Sequence, residues 1–262
     1  MEQPYLILGP LKVYFYGIFL SLAIFSVYIY SKYNSSKYKI ESLEIDRLFP
    51  WLFIGGIAGS RIYHLLGSYR SYTSPLEYFY LWNGGLGIYG AVLGFLFVLF
   101  LFYTKDVKKL LNLLNLISPS VLLGIAVGRI GNYFNIEAFG PPANLPWKIF
   151  VPLNLRPLEY INNSYFHPTF AYESLLCFLF FIFFLILRKR INKLNNMGFA
   201  YFCISYGIIR LITEQYRFDT LTIGAIKIAS VISIILIIIG VYLIIKTVEA
   251  PRRGVSTNNK QV

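Results

Sequence analysis

Residues 228–245 read Ile-Ala-Ser-Val-Ile-Ser-Ile-Ile-Leu-Ile-Ile-Ile-Gly-Val-Tyr-Leu-Ile-Ile, with no charged side chain. A bilayer core of about 30 Å takes roughly 20 helical residues to cross, and a run this long and apolar is a transmembrane helix. Working outward, six further stretches are apolar enough to span, at about 13–30, 48–66, 84–103, 110–128, 168–187 and 198–214. The second, fourth and sixth are weaker because each carries or abuts an arginine. The first is rich in Tyr and Phe and is followed by no small-residue cleavage site, so it reads as a span and not as a cleaved signal peptide. Composition agrees. Of 262 residues 56% are hydrophobic and only 14% charged, against about 25% charged in average soluble domains. With a mean hydropathy of +0.59, this excludes a disordered chain, a disulfide scaffold and an ordinary soluble enzyme. The expected fold is an all-α polytopic membrane protein of about seven helices, one bundle over 1–249 and a polar cytoplasmic tail over 250–262.

The chain carries a net charge of +12. A basic excess can mark a nucleic-acid binder, but no basic, aromatic-interleaved soluble segment exists to carry that function. Topology accounts for it. Segments 31–47, 104–109, 188–197 and 246–262 hold 15 Lys and Arg, and the alternate segments 1–12, 67–83, 129–167 and 210–227 hold 8. By the positive-inside rule the first set is cytoplasmic. Seven spans then place the N-terminus outside and the C-terminus in the cytoplasm. The stretch 129–167, with Pro141, Pro142, Pro146, Pro152, Pro157 and Trp147, is expected to form a small structured extracytoplasmic cap. Cys177 and Cys203 stand alone in apolar segments with no metal or redox spacing, and read as small core residues. The absence of an internal repeat weighs against an inverted-repeat transporter.

Ionisable side chains at membrane depth cost several kcal/mol and are functional candidates by default. Three stretches carry them or bare backbone. In Gly128-Arg129-Ile130-Gly131-Asn132-Tyr133-Phe134-Asn135-Ile136-Glu137-Ala138-Phe139-Gly140, Arg129 and Asn132 share a helical face, and Gly124 and Gly128 form a GxxxG that admits another helix or a lipid headgroup. A planar guanidinium, amide donors and bare backbone suit a phosphate; a helix end with a snorkelling arginine is the plainer reading. In Tyr206-Gly207-Ile208-Ile209-Arg210-Leu211-Ile212-Thr213-Glu214-Gln215-Tyr216-Arg217, Tyr206, Arg210 and Glu214 repeat at four-residue spacing, with Arg217 beyond. An internal ion pair is the structural alternative there. Trp82-Asn83-Gly84-Gly85-Leu86-Gly87-Ile88-Tyr89-Gly90 opens the third span with glycines, for backbone access or for helix packing. Gly59-Ser60-Arg61-Ile62-Tyr63-His64, Tyr16-Gly17 and His167-Pro168-Thr169-Phe170-Ala171-Tyr172-Glu173 are weaker signals. Pro168 fits the first helical position. Two isolated histidines make no metal site. The ligand that suits convergent arginines near the outer half of a bundle is a lipid phosphate, with an anion or lipid transporter left open by chemistry alone.

The run GRIGNYFNIEAFG resembles the signature of the prolipoprotein diacylglyceryl transferases, of type G-R-x-G-N-[FY]-x-N-x-E-x-x-G. Tyr16-Gly17, Gly59 with Arg61 and Tyr63, Gly84-Gly85, His167-Pro168-Thr169 with Tyr172-Glu173, and Tyr206-Gly207 with Arg210, Glu214 and Arg217 follow in the family's order. The resemblance implies seven spans with the N-terminus outside, in a bacterial cytoplasmic (inner) membrane. It also implies a reaction without metal or nucleotide cofactor: a diacylglyceryl group passes from phosphatidylglycerol to the lipobox cysteine of a preprolipoprotein, releasing glycerol 1-phosphate. By carry-over Arg129 binds the headgroup and Arg210 is essential, with Tyr206 and Glu137 at the catalytic centre. Tyr16, Asn132, Gly140, Arg61, Glu214, Arg217 and His167 are expected on the substrate side. The chain departs from the pattern twice. Tyr89 stands where many members carry a His proposed as base, and a phenol, with an ordinary pKa near 10, is a poor base at neutral pH. Asn115 stands four before Pro119, where an Asp is common. The expected partners are phosphatidylglycerol, lipobox peptides and membrane lipids, with the protein a monomer.

Overall fold

The computed structural model describes residues 4–9, 11–68, 72, 74–80, 84–85, 87–191, 196–218, 220, 222–224 and 226–256. Trp82, Asn83 and Leu86 of the glycine-rich stretch, Arg70 and Lys193 of the charge tally, and residues 257–262 of the expected tail lie outside them. Among the described residues seven α-helices follow in the expected order: α1 Phe15–Asn34, α2 Ser42–Ser68, α3 Ile88–Tyr103, α4 Val107–Asn135, α5 Thr169–Arg190, α6 Gly198–Glu214 and α7 Ile228–Ser256. Among the described residues four segments are long and apolar enough to cross a bilayer: Phe15–Tyr38, Val107–Asn135, Thr169–Arg190 and Ile228–Val248. Helix α3 is apolar but only 16 residues long, and α6, at 17 residues, carries Arg210 and Glu214. α7 runs six residues past Ala250, into the segment that composition assigns to a tail.

Three short antiparallel hairpins decorate the helices: β1 Tyr5–Leu8 with β2 Leu11–Tyr14, β3 Ile149–Phe150 with β4 Tyr165–Phe166, and β5 Thr222–Ile223 with β6 Ile226–Lys227. Alternation over so few residues leaves too little pattern to announce a strand in advance.

The chain divides into two compact units, residues 32–113 and residues 1–31 with 114–262. In the first, α2 and α3 pack through glycines. A Cβ on Gly59 would strike the carbonyl of Gly90, and one on Gly94 would strike that of Gly55. Backbones approach this closely only where side chains are missing, so Gly90 and Gly94 are spent on packing.

In the second unit, Gly124 lies against Val27 and Ala23 of α1, and Gly131 against Tyr16 and Phe19. The GxxxG therefore seats a helix. Gly207 and Gly240 do the same between α6 and α7, against Ser233 with Ile237 and against Ala200 with Cys203. Both cysteines are buried and free, as expected of core residues. Asn115 is a helix cap in trans: its Oδ1 accepts the Phe199 N–H at 3.0 Å. That satisfies one of the orphan donors at the start of α6, and a neutral amide serves as well as a carboxylate.

Residues 136–168, most of the stretch 129–167 read as a cap, fold around a small apolar centre. Their own Val151 and Phe166 are fully buried. Phe139 meets Phe166 edge-on at 5.2 Å, and Arg156 ties two turns together through the carbonyls of Val151 (2.9 Å) and Ile161 (3.0 Å).

Candidate active site

Three helix ends of the second unit bring their charges onto one carboxylate. Glu173 stands in the second turn of α5, with its side chain 1% exposed. It accepts from Arg129 Nη2 of α4 at 2.9 Å through Oε1 and 2.8 Å through Oε2. Arg210 Nη1 of α6 reaches Oε2 at 3.2 Å, and Arg217 Nη1 approaches the same oxygen at 3.6 Å. Arg210 also donates through Nη2 to Glu214 Oε2 at 2.5 Å, one turn along α6. The internal pair Arg210–Glu214 anticipated from spacing is present, but it is one edge of a five-residue network. Three guanidinium groups converge on one buried carboxylate, and their planar donors are suited to an anionic ligand.

Tyr206 sits one turn before Arg210, its ring stacked on Phe202 at 5.6 Å. Its phenol is within electrostatic reach of Glu173, Arg210 and Arg129. Tyr16, at the start of α1, is within reach of Glu137 and Arg129. Arg217, Tyr206 and Tyr16 thus join Arg129, Arg210 and Glu214 in one region, as their motifs suggested.

The end of α4 shapes the next part of the site. The Ile136 N–H bonds to the Tyr133 carbonyl (3.3 Å) and the Glu137 N–H to the Asn132 carbonyl (3.2 Å). This Schellman closure normally places glycine in the left-handed position. Here Ile136 occupies it at φ 51°, and Ala138 follows at φ 55°. A β-branched residue in that region is a genuine outlier, and such strain concentrates at functional sites. The turn folds Glu137 back onto α4. Its Oε1 accepts from Asn132 Nδ2 (2.7 Å) and Asn135 Nδ2 (3.2 Å), while Asn132 Oδ1 lies 3.4 Å from Arg129 Nη1. Glu137 therefore fixes the Asn132 amide and, through it, Arg129.

Gly140 is buried, and its N–H donates to the His167 carbonyl at 2.9 Å. A Cβ there would run into the Tyr216 carbonyl and Thr169 Oγ1, so the glycine fastens the cap to the ends of α5 and α6. Thr169 Oγ1 donates to the Tyr216 carbonyl (2.8 Å). Pro168 is the residue just before the first helical position, one place earlier than sequence suggested. His167 Nδ1 lies 3.0 Å from Tyr172 Oη, which accepts from Trp147 Nε1 at 3.0 Å.

Two expected site residues belong to the unit 32–113. Arg61, 5% exposed, spends its guanidinium on backbone. Nε donates to the Tyr78 carbonyl (2.8 Å), Nη2 to Glu77 (2.7 Å) and Nη1 to Gly84 (2.8 Å) and Gly85 (3.3 Å). Gly84 and Gly85 adopt φ of 81° and 75°, a backbone only glycine takes up readily, and this turns their carbonyls onto the arginine. Tyr89 stands in the first turn of α3 with its ring 6.0 Å from that of Tyr63.

An apolar groove of about 500 Å³ runs between α4 and α5, lined by Val127, Ile130, Phe170 and Phe178 among others. Arg129 and Glu173 lie on the same two helices. Sequence reasoning left two contributors out of the site. Glu173 was read only as part of a weak motif, although it is the one acid within the fifth span, and the cost of burying it was the available signal. Lys227 donates to the Glu214 carbonyl at 2.7 Å, from a hairpin no pattern announced.

The sequence profile of the prolipoprotein diacylglyceryl transferases matches residues 4–246. A phosphatidylglycerol–prolipoprotein diacylglyceryl transferase of Synechococcus elongatus is 38% identical over 89% of this chain and 83% of its own length. Proteins of the same name from Thermotoga maritima and Thermotoga petrophila are 36% identical (94% of this chain, 86% of theirs) and 40% identical (80% and 73%). With the arginine and carboxylate network built on the very motifs that suggested the relationship, this chain belongs to the prolipoprotein diacylglyceryl transferase family.

Proposed function

We propose that the protein transfers the diacylglyceryl group of phosphatidylglycerol to the lipobox cysteine thiol of preprolipoproteins, with release of glycerol 1-phosphate. The observation that carries this reading is the cluster of three arginines gathered on Glu173, beside an apolar groove between α4 and α5. A phospholipid combines an anionic phosphate with apolar chains, and these are the two chemistries the region offers.

A thiol of ordinary pKa near 8.5 is a few per cent thiolate at neutral pH and strongly nucleophilic in that form. Its sulfur attacks the glycerol carbon that bears the phosphate ester. The C–S bond forms, the C–O bond breaks, and the electron pair leaves with the phosphate oxygen. Charge therefore grows on the phosphate, where Arg129, Arg210 and Arg217 stabilise it in a site poor in water. Glu173 holds the three arginines in one place before the lipid arrives. Asn132, braced by Glu137, adds an amide donor, and Tyr206 and Tyr16 complete the surroundings of the leaving group. The thiol proton is lost to solvent before the attack, so Tyr89 is not required as a base. In this reading His167 and Gly140 fix the cap over the site, and Arg61 holds the backbone at Glu77, Tyr78, Gly84 and Gly85.

The protein works as a monomer in the bacterial inner membrane, N-terminus outside, its 15-to-8 split of basic residues setting the orientation. The deciding experiment incubates purified protein with phosphatidylglycerol vesicles and a lipobox peptide and weighs the peptide. A gain of one diacylglyceryl mass, absent when the cysteine is replaced by serine, is the expected result. Flux of an anion or lipid with no change in peptide mass would instead support a transporter.

A further inference from the structure

The loop from Val151 to Ile161 turns its cation inward and its leucines outward. Arg156, near the middle, donates through Nε to the Val151 carbonyl (2.9 Å) and through Nη1 to the Ile161 carbonyl (3.0 Å), so the guanidinium closes the loop from within. Leu153, Leu155 and Leu158 are 61%, 41% and 91% exposed. A loop made for water does the opposite: its charges face solvent and its apolar groups pack inside. The neighbouring hairpin extends this surface. Phe150 pairs with Tyr165 across β3 and β4, the two rings meet at 5.9 Å, and both are exposed. Arg156 Cζ lies 5.7 Å from the Phe150 ring, which joins the loop to the hairpin. Lys148 Nζ, bonded to Asn144 Oδ1 at 3.0 Å, lies 4.7 Å over the Tyr165 ring and forms a basic rim. The one acid of the loop, Glu159, is hydrogen-bonded to the Tyr160 phenol.

We propose that this face is a membrane-docking surface, with Leu153, Leu155 and Leu158 set among the lipid chains and Lys148 at the phosphates. The segment springs from Asn135 at the end of α4 and returns at Thr169, the start of α5. Both helices are long and apolar enough to span, so the segment is tethered at the bilayer boundary by each of its ends. Apolar side chains flanked by aromatic rings and a cation are the make-up of a surface that lies in the interface, its apolar groups about 5–10 Å into the boundary of headgroups and chains. The basic rim complements anionic phospholipid. The cation that could have specified a protein partner, Arg156, is spent on the loop's own carbonyls. A lipid surface asks only for apolar area and a basic edge. The docking concerns the leaflet as a medium and is independent of which lipid the arginine site consumes.

The test labels full-length Leu158→Cys with the polarity-sensitive fluorophore NBD and reconstitutes it into vesicles of phosphatidylcholine and phosphatidylglycerol. Cys177 and Cys203 are buried, so the wild type treated in the same way is the background control. Lipids carrying a nitroxide near the top of the acyl chain should cut the emission roughly twofold or more, as for a group about 5–10 Å into the interface, and aqueous iodide should quench it little. Strong quenching by iodide with none by the nitroxide would place the loop in water and overturn the proposal. Emission that shifts to the blue only when a lipobox peptide is added would make the face a peptide site, and that too would overturn it. A second measurement separates insertion driven by the loop from insertion driven by the label. With NBD on Leu155→Cys, the added changes Leu153→Asp and Leu158→Asp should abolish most of the nitroxide quenching, because the leucines no longer hold the loop in the interface. Quenching that survives both aspartates would show that the fluorophore inserts by itself, and the proposal would fall.

Discussion

Removing the Glu173 carboxylate should destabilise the fold more than removing any single arginine it binds. Glu173 is 1% exposed, and Arg129, Arg210 and Arg217 around it are 21%, 13% and 11% exposed. In Glu173→Gln the volume is nearly kept and one acceptor remains, but Arg129, Arg210 and Arg217 lose the carboxylate they share. Breaking a buried pair by removing one partner costs about 3–5 kcal/mol. For a chain of this size that corresponds to a fall in Tm on the order of 10 °C. Transfer should fall further than stability, because the arginines lose their common anchor, and a misplacement of about 1 Å can cost on the order of 100-fold. Thermal unfolding in detergent and the peptide mass assay measure the two effects separately. Inorganic phosphate supplies a third readout. Unpaired guanidinium groups bind anions, so phosphate should raise the Tm of Glu173→Gln more than that of the wild type, by mass action on the folded state. A Glu173→Gln protein with wild-type Tm and wild-type transfer would refute the reasoning, since Glu173 would then be a bystander.

Arg129→Lys keeps the charge but loses the planar fork that spans Glu173 and Asn132, and transfer should drop by about 10²–10³; near-normal initial rates would remove Arg129 from the phosphate site. Tyr89→Phe should retain transfer within about tenfold, with a rate that climbs with pH towards the thiol pKa of about 8.5, whereas an inactive but folded Tyr89→Phe enzyme that still binds phosphatidylglycerol would make the hydroxyl a participant. Asn115→Ala should cost about 1 kcal/mol through the lost cap on Phe199, and Asn115→Asp should restore it. Equal unfolding temperatures for Asn115→Ala and the wild type would show that the cap contributes nothing.

The seven helices were legible because crossing a membrane demands length and apolarity, and both are properties of a continuous stretch such as 228–245. Arg129, Asn132, Glu137, Arg210 and Glu214 were legible for a related reason. A polar group at membrane depth is costly wherever the chain goes, so its presence is informative before its partners are known. Partners are another matter. That Glu173 gathers three arginines, that Asn115 caps a helix 84 residues away, that Arg61 spends its donors on four carbonyls and that the glycines of α2 and α3 face one another all depend on which helix ends meet. Hydropathy is read along one strand of chain and carries no information about pairing between strands of chain far apart. The charge of each side chain was therefore determined by the sequence alone, whereas its counter-charge was chosen by the tertiary structure. For Glu214 the fold placed one carboxylate oxygen on Arg210 and left the other buried beside the site.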